Sequence, residues 1–278
     1  MKPGPESARG GTRAITSLQN ERVKLIRSLE MRKVRRETGL FVAEGASVLV
    51  AARDAGWKPK TLVFLAGSAA SGIARELLDW AQAAGAECLE VSEAVLGKLA
   101  AKDNPQTMLG VFAQRRVRAP VFESLPANGL WVALEGVRDP GNLGTIIRTA
   151  DAVGAGGVAL IGNCVDAYAR ETVRATMGSI FNVALVRMTL DECLPWVARW
   201  AGDIVGTHLN ATEDFRVRGY RAPTLLLMGS EGPGLSAELS ATCTRLVKIP
   251  MAGRLDSLNL AVATGVMLYE IAKDRLRL

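Results

Sequence analysis

Leu225–Met228 is an unbroken apolar run that stops at a loop dense in glycine, Gly229-Ser230-Glu231-Gly232-Pro233-Gly234. Near-continuous apolar runs of similar length recur at Thr61–Leu65, Trp131–Leu134, Gly157–Ile161 and Leu246–Ile249, with helix-period segments among them. A strand with one wet face alternates apolar and polar residues, whereas a strand covered on both faces reads as a continuous apolar run. Such strands alternating with helices imply an α/β fold with a mostly parallel sheet.

The pattern divides into two regions. In residues 15–114 it predicts a helix over Asn20–Arg36, strands at Leu40–Ala43 and Thr61–Leu65, and helices over Ala46–Ala55, Gly72–Ala84 and Val91–Leu99, then a strand at Gly110–Gln114. This reads as a smaller N-terminal α/β domain with a largely parallel sheet. Residues 115–128 carry charge and two prolines without periodicity and read as a linker. Residues 129–278 form the second domain. Its expected strands are Trp131–Leu134, Gly157–Ile161, Asp203–Thr207, Thr224–Met228 and Leu246–Ile249. Its expected helices are Asn142–Val153, Leu194–Ala201 and Ser257–Arg275. The terminal helix is expected to bury Leu258, Val262, Val266 and Tyr269.

Residues 1–14, rich in Pro, Gly and charge, read as a disordered tail without the apolar core of a secretion signal. With 49% hydrophobic residues, the 278-residue chain can bury a substantial core. No apolar run reaches the roughly 18–20 residues that span a bilayer. The expectation is a cytoplasmic protein with no membrane partner. Cys88, Cys164, Cys193 and Cys243 form no CxxC pair and read as buried thiols. His208 is the single histidine, so metal sites built on several histidines are excluded and a catalytic triad would depend on one residue. It reads as a surface or structural residue, and no metal is expected. There is no GxxxxGK[ST] phosphate loop and no GxGxxG turn, which argues against a nucleotide hydrolase or standard dinucleotide fold.

The net charge is +6. Its clustering says more than its size. Residues 22–36 hold Arg22, Lys24, Arg27, Arg32, Lys33, Arg35 and Arg36 against Glu30, a local excess of the kind phosphate binding needs. Arg22, Lys24, Arg32, Lys33, Arg35 and Arg36 are the candidate RNA contacts. Arg115, Arg116 and Arg118 form a second cluster.

Three segments carry candidate chemistry. In Leu134–Ala150, a strand runs into a Pro/Gly-rich loop and a helix starting near Asn142. Asn142 either caps that helix or points into a cleft, and Arg148, bordering its buried face, is either a plain exposed arginine or a fixed guanidinium that grips a phosphate or a developing oxyanion. In Leu225–Leu235, the glycines after the strand allow backbone to approach a ligand closely. In Val247–Ala263, a strand ends at Pro250, and Ser257-Leu258-Asn259 opens the last helix, where Ser257 and Asn259 could be plain caps.

In this order and spacing the three segments resemble the motifs of the SpoU/TrmH family of RNA ribose methyltransferases, within the SPOUT superfamily. Asn142, Gly144 and Arg148 match its Asn-x-Gly-x-x-x-Arg. Gly229, Glu231, Gly232, Gly234 and Leu235 match Gly-x-Glu-Gly-x-Gly-Leu, and Ile249, Pro250, Met251, Gly253, Ser257, Leu258 and Asn259 match the third. The N-terminal region, through Phe41-Val42-Ala43-Glu44-Gly45, is similar to the ribosomal-protein-like substrate-binding domain of many members. The chain departs from the family at Thr176-Met177-Gly178, where many relatives have Ser-Ala-Gly, and at Ser230, where many have Asn.

The resemblance implies a trefoil-knotted C-terminal domain and methyl transfer from S-adenosylmethionine to a ribose 2′-OH. The RNA would be 23S rRNA, with tRNA, or a non-catalytic ribosome-assembly role, as alternatives. It assigns Arg148, Asn142, Glu231, Ser257 and Asn259 to catalysis. Leu227, Met228, Gly229, Ile249, Met251, Leu258 and Asn259 would hold the cofactor. It also implies a homodimer, with the terminal helix and the motif-one helix buried between chains.

Overall fold

The computed structural model describes residues 11–100, 106–115, 117–216 and 219–276. In chain order the elements of the first part are β1 (Thr12–Ile15), α1 (Glu21–Ser28), α2 (Arg32–Thr38), β2 (Leu40–Glu44), α3 (Ala46–Asp54), β3 (Thr61–Leu65), α4 (Gly72–Ala83), β4 (Glu87–Val91), α5 (Glu93–Leu99) and β5 (Met108–Ala113). Then come β6 (Leu130–Glu135), α6 (Pro140–Ala152), β7 (Gly157–Ile161), α7 (Arg170–Ala175), β8 (Ala184–Met188), α8 (Leu190–Val197), β9 (Ile204–Thr207), β10 (Glu213–Asp214), β11 (Thr224–Met228), α9 (Ala237–Thr242), β12 (Arg245–Lys248) and α10 (Leu260–Ala272).

The chain forms two compact units. One holds the residues up to Gln114 together with Tyr168–Phe181, and the other holds Arg115–Ala167 and Asn182–Leu278. The expected domain of residues 129–278 is therefore interrupted: Tyr168–Phe181 packs with the N-terminal unit. There Phe181 meets Trp57 edge-on at 5.1 Å and Phe112 at 5.0 Å, while Tyr168 lies 4.7 Å from Phe41. The 115–128 stretch also differs from a free linker. Ala119 and Leu125 pack on the second unit's core, and Trp196 Nε1 donates to the Pro120 carbonyl at 2.9 Å.

The first unit's sheet has the order β1-β4-β3-β5-β2. It is mixed, because β5 runs antiparallel to both β2 and β3. This corrects the expectation of a largely parallel sheet. Residues 12–14, expected in a disordered tail, belong to β1 and pair with Cys88–Glu90 of β4; residues 1–10 of that tail lie outside the described residues. The expected helix over Asn20–Arg36 is broken at Leu29–Met31.

The second unit's sheet has the order β10-β12-β9-β11-β6-β7-β8, and every pairing is parallel. Its central strand β11 is buried on both faces: Leu225 and Leu227 join one core cluster, while the opposite face lies under α10. From β6 the chain winds outward through β7 and β8, then resumes on the other side at β9. β11 inserts between β9 and β6. Such a reversal leaves a crevice at the C-terminal strand ends, where open α/β sheets bind ligands. Among the described residues no helix is long and apolar enough to cross a membrane.

Candidate active site

The three sequence segments leave the C-terminal ends of β6, β11 and β12 in the second unit. Asp139 caps α6, its Oδ1 accepting from the Asn142 N–H at 2.6 Å, and Pro140 occupies the opening turn. This Asp-Pro order suits a helix start, because proline's fixed φ fits there and its missing N–H costs nothing. Asn142 is thus not the cap. Its side chain is left to point outward from the first turn.

The Gly-rich segment after β11 is a closed hairpin. Ser230 and Gly234 exchange backbone hydrogen bonds of 3.2 and 3.1 Å. A Cβ on Gly229 would lie 1.9 Å from the Gly234 carbonyl carbon, so only glycine fits this approach. Gly232 and Gly234 turn the loop with φ of +99° and +74°. The hairpin tip presents Glu231 to solvent.

Asn259 caps α10 through Oδ1, which accepts from the N–H groups of Ala261 (2.9 Å) and Val262 (3.3 Å). Its Nδ2 remains free to donate, and does so to Asn142 Oδ1 at 3.0 Å. Asn142 Nδ2 in turn donates to Glu231 Oε1. One residue from each segment therefore joins a single hydrogen-bonded chain, Asn259–Asn142–Glu231.

The other expected site residues are placed as follows. Arg148 is exposed on α6, on the solvent side with Thr145, and among the described residues it makes no ion pair or hydrogen bond. The sequence reading put it at the border of the buried face. Ser257 is exposed and donates to Asp256 Oδ1 at 3.2 Å, not to the Asn142 chain. Leu227 is wholly buried with its side chain in the core cluster, so only its backbone is available to a ligand. Met228 is also buried, its Sδ 3.5 Å from Thr207 Oγ1. Ile249, Met251 and Leu258 are half-buried beyond the ends of β12 and before α10.

Two supporting residues were missed. Glu135, at the end of β6, accepts from the Ser236 N–H at 2.8 Å and so ties the exit of the Gly-rich hairpin to the neighbouring strand. Arg187 on β8 donates to the carbonyls of Cys164 (3.1 Å) and Val165 (2.9 Å), and Val165 N–H donates to Val137 O of the motif-one loop at 2.7 Å. Glu135 had a signal, an acidic residue closing an apolar strand. Arg187 had none, because its partners are backbone groups of a distant loop.

The candidate RNA contacts belong to the first unit, and one needs correction. Arg35 is only 4% exposed, and its Nη1 donates to the carbonyls of Leu29 and Glu30 at 2.7 Å each. It is a structural residue held inside the fold. Arg22 pairs with Glu87 at 3.0 Å, Lys24 with Glu21 at 2.8 Å and Lys33 with Glu37 at 3.9 Å. Arg32 and Arg36 are exposed and make no such pairs among the described residues. Of the second cluster, Arg116 lies outside the described residues.

Residues 129–269 match the model of the SpoU rRNA methylase family. The chain belongs to the SpoU rRNA methylase family. Residues 20–110 match the MRM3-like substrate binding domain. Among solved relatives of this SpoU chain is an AdoMet-bound rRNA methyltransferase from Sinorhizobium meliloti, 44% identical with a TM-score of 0.87, covering 96% of this chain and 99% of that one. The SpoU methyltransferase AviRb from Streptomyces viridochromogenes, solved with AdoMet, is 32% identical with a TM-score of 0.83, covering 92% and 98%. The 23S rRNA (guanosine(2553)-2'-O)-methyltransferase RlmP of Bacillus subtilis is 27% identical, covering 92% and 98%.

Proposed function

We propose that this SpoU chain transfers a methyl group from S-adenosylmethionine to a ribose 2′-OH of 23S rRNA, acting as a cytoplasmic homodimer. The observation that carries the reading is the Asn259–Asn142–Glu231 chain, which draws all three family segments to one place. Similarity over nearly the full length to a 23S rRNA 2′-O-methyltransferase and to an rRNA methyltransferase supports the choice of substrate.

The donor site fits its ligand on this chain's own features. Backbone at Leu227, Met228 and Gly229, open loops at Gly232 and Gly253, and the half-buried Ile249, Met251 and Leu258 supply peptide donors and acceptors beside apolar surface. A purine and a thioether-like chain need that combination. When bound, S-adenosylmethionine supplies a methyl group on a sulfonium, ready for transfer to an oxygen nucleophile.

A ribose hydroxyl is a weak nucleophile, and negative charge develops on its oxygen as the new bond forms. Arg148 stabilises that charge and holds the adjoining phosphate. A guanidinium does not give up its proton in a protein, so Arg148 is not the base, and the hydroxyl proton leaves to phosphate or water. Asn142, Glu231 and Asn259 fix the segment ends around the ribose, and Ser257 lies on the same loop. The exposure of Arg148, with no ion pair or hydrogen bond among the described residues, suits a group waiting for an anion.

Two observations support a dimer. Val262 is 53% exposed and Tyr269 52% exposed, and with Val266 they form an apolar stripe on α10. The sequence reading expected this stripe to be buried, and a second copy of the chain would bury it beside α6.

The test is transfer of labelled methyl from S-adenosylmethionine to bulk rRNA, followed by alkaline hydrolysis. A 2′-O-methyl group blocks cleavage, so label should run with dinucleotides. Label in mononucleotides would point to a base as acceptor, and label in tRNA alone would exclude the ribosomal substrate.

A further inference from the structure

The corner between α1 and α2 is built by two buried arginines. Arg35 holds the Leu29 and Glu30 carbonyls. Arg170 is 7% exposed, and its Nη1 lies 3.0 Å from Glu30 Oε1 and 2.9 Å from Glu44 Oε1. Burial lowers the Arg170 pKa, and the two carboxylates oppose that shift. Taking a guanidinium out of water is costly unless it is paired and hydrogen-bonded. Arg35 holds the backbone of the turn, and Arg170 holds the Glu30 side chain beside it.

That turn exposes Met31, which is 55% accessible. Met31 lines a groove with Lys24, Arg27, Ser28, Glu30 and Lys98. The one acid, Glu30, has its charge matched by Arg170. Lys24 has Glu21, but Arg27 and Lys98 make no ion pair or hydrogen bond among the described residues. By contrast, Arg22 and Lys33 on the same helices have carboxylates against them.

We propose that this groove is an RNA subsite, in which Arg27 and Lys98 bind backbone phosphate and Met31 packs on the face of an unstacked base. The proposal rests on the methyltransferase reading for its ligand, and it moves the RNA contact from Arg22, Lys33 and Arg35 to the groove. Unpaired cations attract phosphate without first breaking an ion pair. An exposed thioether offers a polarizable apolar surface to a base. Arg27 and Lys98 also sit in the last turns of α1 and α5, facing the negative helix ends. That contribution would appear in thermal stability and not in RNA affinity.

The test uses the full chain as wild type, Arg27→Gln/Lys98→Gln, Met31→Ala and, as an equal charge change elsewhere in the unit, Lys58→Gln/Lys60→Gln. Fluorescence anisotropy reads binding of a labelled mixed-sequence RNA of about 20 nucleotides, single-stranded or duplex, between about 50 and 200 mM salt. Arg27→Gln/Lys98→Gln should weaken single-strand binding roughly tenfold and lower the salt slope by about 1.4, two contacts at about 0.7 each. Met31→Ala should weaken the single strand and leave the duplex unchanged, and Lys58→Gln/Lys60→Gln should change little. Equal weakening by both double variants, or an unaltered salt slope in Arg27→Gln/Lys98→Gln, would overturn the subsite. If wild type binds and methylates RNA while that variant behaves identically, the subsite alone fails. If wild type binds no RNA, the methyltransferase reading fails with it.

Discussion

Asn259 Nδ2 donates to Asn142 Oδ1 at 3.0 Å, linking residues 117 positions apart in the chain. The same Asn142 amide donates onward to Glu231, so one planar group sets the distance between three loops. A side-chain amide can do this because it offers donors and an acceptor at once.

Removing that group should cost activity more than stability. Asn142→Ala leaves the Asp139 cap intact, so the melting temperature should change little, while kcat/KM falls by roughly a hundredfold or more, about 3 kcal/mol of transition-state stabilisation. Glu231→Ala should do similar harm. The double variant should be little worse than either single, because residues in one network are coupled. Additive losses would show that the two act separately. Asn259→Ala should also lose about 1 kcal/mol of stability through the α10 cap.

Gly229→Ala tests the hairpin. A methyl group 1.9 Å from the Gly234 carbonyl carbon forces the Ser230–Gly234 ladder apart. Calorimetry should show S-adenosylhomocysteine binding weakened at least tenfold, about 1.4 kcal/mol. Unchanged affinity in the folded variant would remove the hairpin from the donor site.

The dimer proposal concerns Val262 and Tyr269. Val262→Asp/Tyr269→Asp places charge on an exposed stripe, so the fold should survive, but sedimentation should find monomer where wild type sediments as dimer. Two monomeric species of equal activity would contradict the proposal.

Burial pushes the thiols up, Cys88 to about 11 and Cys193 and Cys243 to about 12, from an ordinary 9.0. The raised folded values mean the thiol form is favoured by folding. That stability is fully present below about pH 9 and is lost as pH rises from there through 11 to 12. Denaturant melts should lose stability over that range. At pH 8, iodoacetamide should modify the native protein slowly and all four cysteines quickly once it is unfolded.

Much of this was readable in the chain, and the failures have physical causes. Thr61–Leu65, Gly157–Ile161 and Thr224–Met228 are strands with the expected bounds, because interior strands covered on both faces are apolar almost throughout. β4 and β8 were missed, since Glu87, Glu90 and Arg187 interrupt their apolar runs. The helix expected through Arg36 breaks because Arg35 captures carbonyls of the turn before it, a tertiary contact that periodicity does not encode. Local pattern also buried Val262 and Tyr269, when α10 instead buries Leu260, Ala261, Thr264, Met267 and Leu268. The site was visible as three segments. Which residue joined them was not, because the role of Asn142 depends on Asp139 having taken the cap.

The account turns on Arg148, a guanidinium on the exposed side of α6 with no ion pair or hydrogen bond among the described residues. The most direct measurement is single-turnover methyl transfer to rRNA by Arg148→Ala, with S-adenosylhomocysteine affinity measured alongside. The account predicts a rate lower by about a thousandfold or more, the scale of a lost oxyanion partner, with affinity for the donor product unchanged. A rate near that of wild type would contradict it.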